Sequence, residues 1–406
     1  MSQQEERVGA RIASNRKLAG YTQAGLATEA HVSLGAVRKV ERGERLPTHG
    51  FLIAVARALR VPVEELTGQP YRAETPTEQR THAPVQGIRT AVRRFDLPAD
   101  WYTEPRPMEE LARDVQTAAA HRTAARYAQL GAVLPGLLEE LTAGVHLTTG
   151  RQRRLHARLL ASAYYMAHGL AHRLGYSDLI GQLEDRMRWA AGLSEDSLMR
   201  ALAEWTRSYS FDAFGDYDGG LRVLAAARAE LEDAAGVAGG AELPRIALLG
   251  SLHLRESTFA SLARDEAGTE YHLAEARRLG ELVPGGRDQL HYHMTFGPAN
   301  VAVHDVAASV ELKRPEEAVR KARGLRFPSD MARTRQGHHH VAVARAHVDL
   351  DRREDALRHL QKARRLAPEL TRVHPTARET ARVLTHKYRR TTEELRSLAT
   401  WFGVQK

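Results

Sequence analysis

At 406 residues the chain is longer than one ordinary domain and suggests two or three. Hydrophobic residues make up 43% of it, enough for packed cores, and no apolar run approaches the roughly 18 residues of a membrane span. The absence of cysteine excludes disulfides, thiolate metal sites and a cysteine nucleophile, while a net charge of +9 favours a polyanionic partner. That charge is unevenly placed. Residues 1–70 carry ten Lys or Arg against seven Asp or Glu, whereas Arg352 to Lys406 carry fourteen against six. The basic C-terminal part reads as solvated helix surface or as a face that helps hold a polyanion. The polar N-terminus shows no signal peptide, so a cytoplasmic location is expected.

A first helix is expected over residues 6–19, with Val8, Ile12 and Leu18 inward. Tyr21 to Gly43 then reads as two short helices joined by a tight turn. Thr22 caps the first, from Gln23 to about Ala30, and Ala27 is small enough for the second to cross over it. Ser33 caps the second helix, which runs to about Arg42, where Gly43 supplies a left-handed stop. Val37 and Val40 face inward. Leu34, Gly35, Arg38 and Lys39 face outward, where a helix laid in a major groove meets base edges. Thr48 and Pro62 open two further helices and Gly68 ends the last, completing a five-helix domain.

Laid out in this way, Val8 to Gly68 resembles the helix-turn-helix of the Cro and phage-repressor type, the XRE family, in its apolar spacing and in Glu41-Arg42-Gly43. The resemblance implies binding to double-stranded DNA. Leu34, Gly35 and Lys39 would sit over bases, Arg38 would reach bases or backbone, and Arg16 would pair with Glu41 behind the recognition helix. Gln23, Arg42 and Arg45 would hold phosphates, and Ser33 would lie at the end of the helix that enters the groove. Three positions depart from the family pattern. His31 stands where the turn normally has Gly, and Gly25 replaces a capping-box Glu at a cost of about 1 kcal/mol. Leu34 and Gly35 cannot form bidentate hydrogen bonds, so base reading falls to Arg38, Lys39, a thymine-methyl contact by Leu34, and DNA shape. The other use of such a motif is contact with a protein.

Residues 69–107 read as a Pro-rich linker holding one short helix, Ile88 to Phe95. From Met108 onward long amphipathic helices dominate. Helix, turn and helix recur every 40 to 50 residues or so, at Gly175-Tyr176, Gly215-Asp216-Tyr217, Asp265-Glu266-Ala267, Leu312-Lys313-Arg314 and Asp351-Arg352-Arg353, which indicates an α-solenoid over residues 108–406. DRREDALRHLQKARRLAP resembles the second half of a tetratricopeptide repeat at Ala356, Leu357, Ala363, Leu366 and Pro368. The expected fold is therefore all-α: a helix-turn-helix domain at 1–68, then a tetratricopeptide-like solenoid. This order of domains is similar to quorum-sensing regulators that bind a short peptide, and to many XRE regulators of actinobacteria. It implies a homodimer and a small-molecule or peptide effector. With Asn15 and Asn300 the only asparagines, a row of asparagines gripping a peptide backbone cannot be carried over.

Candidate effector contacts lie on the first helices of successive pairs: Tyr165, His168, Trp205, Tyr209, His253 and Arg255. Trp205 and Tyr209 share a helical face, as a stacking wall would, although aromatics at that spacing also make core. His291 to Asp305 adds Asn300 and His304, which line a pocket together or else pack and bond locally. His338, His339 and His340 point about 100° apart on a helix and cannot chelate one ion. No phosphate loop, nucleophile elbow or paired-carboxylate arrangement stands out, so no catalytic, metal or cofactor site is expected. These features suggest a ligand-responsive, DNA-binding transcriptional regulator rather than an enzyme. The rival reading is a DNA-tethered adaptor whose solenoid binds another protein.

Overall fold

The computed structural model describes residues 7–70, 76–97, 105–233, 242–329, 331–387 and 392–404. Five helices form at the N-terminus: α1 (Val8–Leu18), α2 (Gln23–Glu29), α3 (Leu34–Glu41), α4 (His49–Leu59) and α5 (Val63–Thr67). Their starts are set by side chains. Thr22, Ser33 and Thr48 accept from the backbone N–H of Gly25, Ala36 and Phe51, satisfying donors that each first turn leaves free. His31 takes the left-handed conformation (φ 50°) in the turn, and Gly43 (φ 74°) stops the recognition helix. Val8, Ile12, Leu26, Val37, Val40, Val55 and Leu66 close the small core.

The stretch expected as a linker is folded over residues 76–97. It forms α6 (Pro76–His82) and α7 (Val85–Arg93), whose apolar face, Val85, Ile88, Ala91 and Val92, joins the main core of the following domain. Its prolines separate short helices instead of extending a tether.

The larger domain runs through α8 (Met108–Thr123), α9 (Tyr127–Leu147), α10 (Gly150–Leu174), α11 (Ser177–Leu193), α12 (Ser197–Phe214), α13 (Tyr217–Asp233), α14 (Glu242–Ala263), α15 (Glu266–Glu281), α16 (Pro298–Glu311), α17 (Pro315–Arg323), α18 (Arg333–Asp349) and α19 (Arg353–Leu366). It ends with α20 (Pro368–Val373), α21 (Pro375–Lys387) and α22 (Glu393–Phe402). The five expected hairpin turns are all present. Four hold one left-handed residue, Gly175, Gly215, Lys313 or Asp351, while the third turns at Arg264, one residue before the expected Asp265, with Glu266 already in α15; this geometry lets a helix end and its partner return antiparallel. The hairpins curl far enough for α8 to touch α18. Among the described residues no helix is long and apolar enough to cross a membrane.

One feature is not helical. Between α15 and α16 a two-stranded antiparallel ribbon, β1 (Gln289–His291) and β2 (Met294–Phe296), lies against α14. The Phe296 ring occupies the space beside Gly250, where a Cβ would fall 1.9 Å from it.

The N-terminal domain is seated on the repeats. Ile53 of α4 presses on Gly215 at the end of α12, and Gly50 lies beside the Leu262 carbonyl at the end of α14. On the other side Leu46 enters a cluster with Val341, Leu360, Leu384 and Phe402. Within the domain, α1 crosses α3 so closely that a Cβ on Gly9 would lie 2.1 Å from the Val40 carbonyl oxygen. Backbone cannot step aside as a side-chain end can. Gly9→Ala is therefore expected to destabilise the helix-turn-helix by about 1–3 kcal/mol, read as a lowered thermal midpoint; an unchanged midpoint would refute the close crossing.

Candidate nucleic-acid interface and inner cavity

Behind the recognition helix sits one buried ion pair. Arg16 donates Nε to Glu41 Oε1 at 2.7 Å and Nη1 to the Tyr21 carbonyl at 2.8 Å, while Gln23 Nε2 donates to Glu41 Oε2 at 2.7 Å. The Arg16 and Glu41 side chains are 10% and 6% exposed, so each depends on the other for its charge to be tolerated. This clamp fixes α1, α2 and α3 together.

On the opposite face Gly35, Arg38 and Lys39 are exposed, Leu34 is half-buried, and Ser33 serves as cap. Arg38 and Lys39 have no ion-pair partner among the described residues, which leaves both cations free for DNA. The three expected phosphate contacts lie elsewhere. Gln23 is engaged by Glu41, exposed Arg42 pairs with Glu44 at 2.7 Å, and Arg45 sits toward the repeats, where its charge acts on Asp349 and Lys313. Arg45 is half-buried, and its neighbour Leu46 packs against the C-terminal helices.

In the repeat domain the predicted inner-face residues sort into two groups. Tyr165, His168, Trp205 and Tyr209 do converge, with Tyr165 and Trp205 ring centres 6.3 Å apart and Trp205 and Tyr209 5.4 Å apart, and they line a cavity of about 60 Å³. The others do not line it. Asn300, 1% exposed, donates Nδ2 to the Thr295 carbonyl at 2.9 Å and so anchors the ribbon to α16. His304 lies near enough to Arg335 and Arg255 to feel both, and burial first, then those charges, push it down to about 3. Arg255 is behind the wall: its guanidinium lies 4.2 Å from the Tyr209 ring centre and donates to Ser208 Oγ at 2.9 Å and Asp212 Oδ2 at 3.1 Å.

Residues missed in the sequence complete the cavity wall: Arg122 and Thr123 from α8, Tyr127 from α9, His172 and Arg173 from α10, Thr295 from the ribbon, and Thr334, Arg335 and His338 from α18. Burial, and then the charge of Arg173, hold His338 well below 6.5, so its imidazole is neutral near pH 7 and the arginines supply the charge; His172 is exposed. A second, more open hollow of about 500 Å³ lies among α17, α18 and α19 and includes His339, His340 and His359. It takes two of the three consecutive histidines, while His338 faces the first cavity.

His253 belongs to neither hollow. Its Nδ1 is 3.0 Å from His272 Nδ1, and the two nitrogens lie 3.5 and 3.4 Å from Glu256 Oε2. These three are the residues, among those described, that could hold a divalent cation. However, Arg228 Nε stands 3.4 Å from the same carboxylate oxygen, so a cation there would meet a guanidinium. Burial pushes Glu256 up to about 7 and both histidines down to about 4, consistent with a cluster that sheds its charge.

The cavity wall leads to the N-terminal domain through Asp212. Its Oδ2 accepts from Arg255 and its Oδ1 lies 3.2 Å from His49 Nε2 at the start of α4. Burial would raise the Asp212 carboxyl, but His49 and Arg255 bring it well below the ordinary range. Desolvation would lower His49, and Asp212 outweighs it, raising the imidazole above 6.5.

The helix-turn-helix family profile matches residues 12–66. Over 59 residues the chain is 42% identical to the cryptic phage CTXphi transcriptional repressor RstR of Vibrio cholerae serotype O1, a match that covers 14% of this chain and 53% of that protein. Over 58 residues it is 40% identical to the uncharacterized HTH-type transcriptional regulator YazB of Bacillus subtilis, covering 14% of this chain and 84% of that protein. The chain thus spans about half the length of the first relative, and both matches fall short of the repeats. No solved structure matches the chain.

Two outcomes follow from this geometry. Glu41→Ala strands the buried Arg16 guanidinium and is expected to cost about 3–5 kcal/mol, seen in thermal unfolding; a variant as stable as wild type would show the pair to be expendable. The contact of His49 with Asp212 carries a pH signature. Because the folded pKa is raised, its contribution is complete below about pH 6.5 and disappears as pH climbs through the folded value. The stability difference between wild type and His49→Gln should therefore be greatest below about pH 6.5 and shrink as pH rises above it. A constant difference would refute the clasp.

Proposed function

Through residues 12–66 the chain belongs to the helix-turn-helix family of transcriptional regulators, and from there we propose that it binds operator DNA as a homodimer under the control of an effector held in the repeat domain. Two heads would place α3 in successive major grooves of an approximately palindromic site, about 10 bp or a multiple apart. Base reading falls to Arg38 and Lys39. The observation that carries the effector part of this reading is the cavity: an aromatic wall of Tyr165, Trp205 and Tyr209, linked through two residues, Arg255 and Asp212, to His49 of the DNA-binding domain. A ligand that fits one seating of the head better than another would shift the population of DNA-competent dimers.

The adaptor reading retains one supporting observation. Much of the concave face is filled by its own side chains, Asn300 and Arg255 among them, as a surface meant for a protein partner could be.

Selection of genomic fragments by the purified protein at fixed salt, with and without extract of the source culture, separates the two readings. A recovered palindrome whose enrichment responds to extract is the expected result; one indifferent to extract favours the adaptor. Replacing both Arg38 and Lys39 by Ala should lower operator affinity about tenfold or more and erase preference between bases, measured by competition binding. Survival of both properties would overturn the assignment of the recognition face.

A further inference from the structure

The cavity wall holds three half-buried guanidinium groups, Arg122, Arg173 and Arg335, and no carboxylate. Arg173 and Arg335 have no side-chain partner among the described residues. Arg122 is partly engaged: Nη2 donates to the His293 carbonyl and the group stacks 4.8 Å from the Tyr165 ring centre, yet its Nε is buried with no hydrogen bond. Two further polar groups on the wall are left without partners, the hydroxyl of Tyr127, itself 2% exposed, and Nε2 of His338. Like charges and donors without partners gathered around one small cavity are costly to leave uncompensated. Burial is the main cause that lowers the basicity of Arg335; Tyr165 and Tyr209 oppose it, and Arg122 and Arg173 add smaller repulsions.

Resting on the effector reading above, we propose that this cavity is an anion site, taking the carboxylate or phosphate head group of a small ligand whose planar body lies against Tyr165, Trp205 and Tyr209. Its chemistry fits on three counts. Charge-assisted hydrogen bonds from guanidinium to carboxylate or phosphate are among the strongest available, and the unpartnered Tyr127 hydroxyl adds a neutral donor. At about 60 Å³ the enclosed space suits a head group, with the body toward the aromatic wall. Two of the three arginines come from α8 and α10, which pack on each other, and the third from α18, which meets α8 where the repeats curl back. An anion bound there would pin that seam. Arg173 also lies at the domain junction, because its carbonyl accepts from Gln69 just after α5 at 3.4 Å.

The test uses the full-length protein with benzoate and phenyl phosphate as anionic probes and benzamide as the neutral match, at constant ionic strength, followed by thermal shift and by the fluorescence of Trp205. The expected result is saturable binding of one or both anions, weak or no binding of benzamide, and a loss of anion affinity of about tenfold or more in Arg335→Gln. Unliganded Arg335→Gln should be at least as stable as wild type, because a repelling charge is removed. Tyr127→Phe should likewise fold normally and bind the anion more weakly, since the lost hydroxyl has no partner in the empty cavity. Equal binding of benzamide, or an Arg335→Gln protein destabilised without ligand and unaltered toward the probes, would overturn the proposal. Operator binding keeps the two levels apart. If extract alters operator occupancy equally in wild type and Arg335→Gln, effector sensing survives and the anion assignment fails; if probes bind through Arg335 but no extract affects the operator, the reverse holds.

Discussion

A helical hairpin cannot cover its own apolar face, and everything distinctive in the larger domain follows from that. Each pair buries its surface against the next, so first helices line up side by side and second helices form the outside. The left-handed residues at Gly175, Gly215, Arg264, Lys313 and Asp351 keep this arrangement in step. Curvature then accumulates until α8 meets α18, and polar residues that a flat array would leave in water are enclosed together. The cavity is thus a product of closure rather than of any one hairpin.

The same stacking creates the seat for the head. The ends of α12 and α14 form a ledge that receives α4, where Gly50 lies beside the Leu262 carbonyl and Gly215 leaves room for the Ile53 side chain. Such a ledge offers unpaired charge as well as shape. Asp212 lies where a helix end, a guanidinium and an incoming imidazole meet, and with two cations beside it the carboxylate is tolerated at low exposure. The Arg16 and Glu41 clamp does the equivalent inside the head, where it holds three helices so that α3 faces outward.

Features determined by neighbouring residues were legible in the chain. Caps at Thr22, Ser33 and Thr48 and the stop at Gly43 depend on one or two adjacent positions, and so do the hairpin turns. Features made by long-range assembly were not. Arg122, Arg173 and Arg335 are three of fifty-two arginines; packing of α8 on α10 brings the first two together, and only the approach of α18 to α8 adds the third. Asn300 drew notice as a rare residue, but its partner, the Thr295 carbonyl, belongs to a ribbon of three-residue strands too short to leave a periodic signal. In residues 69–107 the prolines outweighed the amphipathic spacing of Val85, Ile88 and Val92, which turned out to decide the fold. His253 and Arg255 are two apart on α14 and cannot share a face, so grouping them as lining residues ignored the helical period.

Charge placement connects the two ends of the molecule. The head shows free cations, Arg38 and Lys39, to the outside, where a polyanion can meet them, whereas the cavity gathers three half-buried cations with no carboxylate among its described lining residues. Exposed cations cost little while they wait for DNA, because water screens them. Enclosed cations are different, since their repulsion acts across α8, α10 and α18 until an anion arrives. The wall that such a ligand would touch is one residue deep: Tyr209 covers Arg255, Arg255 holds Asp212, and Asp212 holds the first turn of α4. A shift of Tyr209 by the width of a hydrogen bond would therefore be felt as a change in how firmly Asp212 grips the head, and packed hairpins, which resist gradual deformation, would carry it as a choice between two seatings.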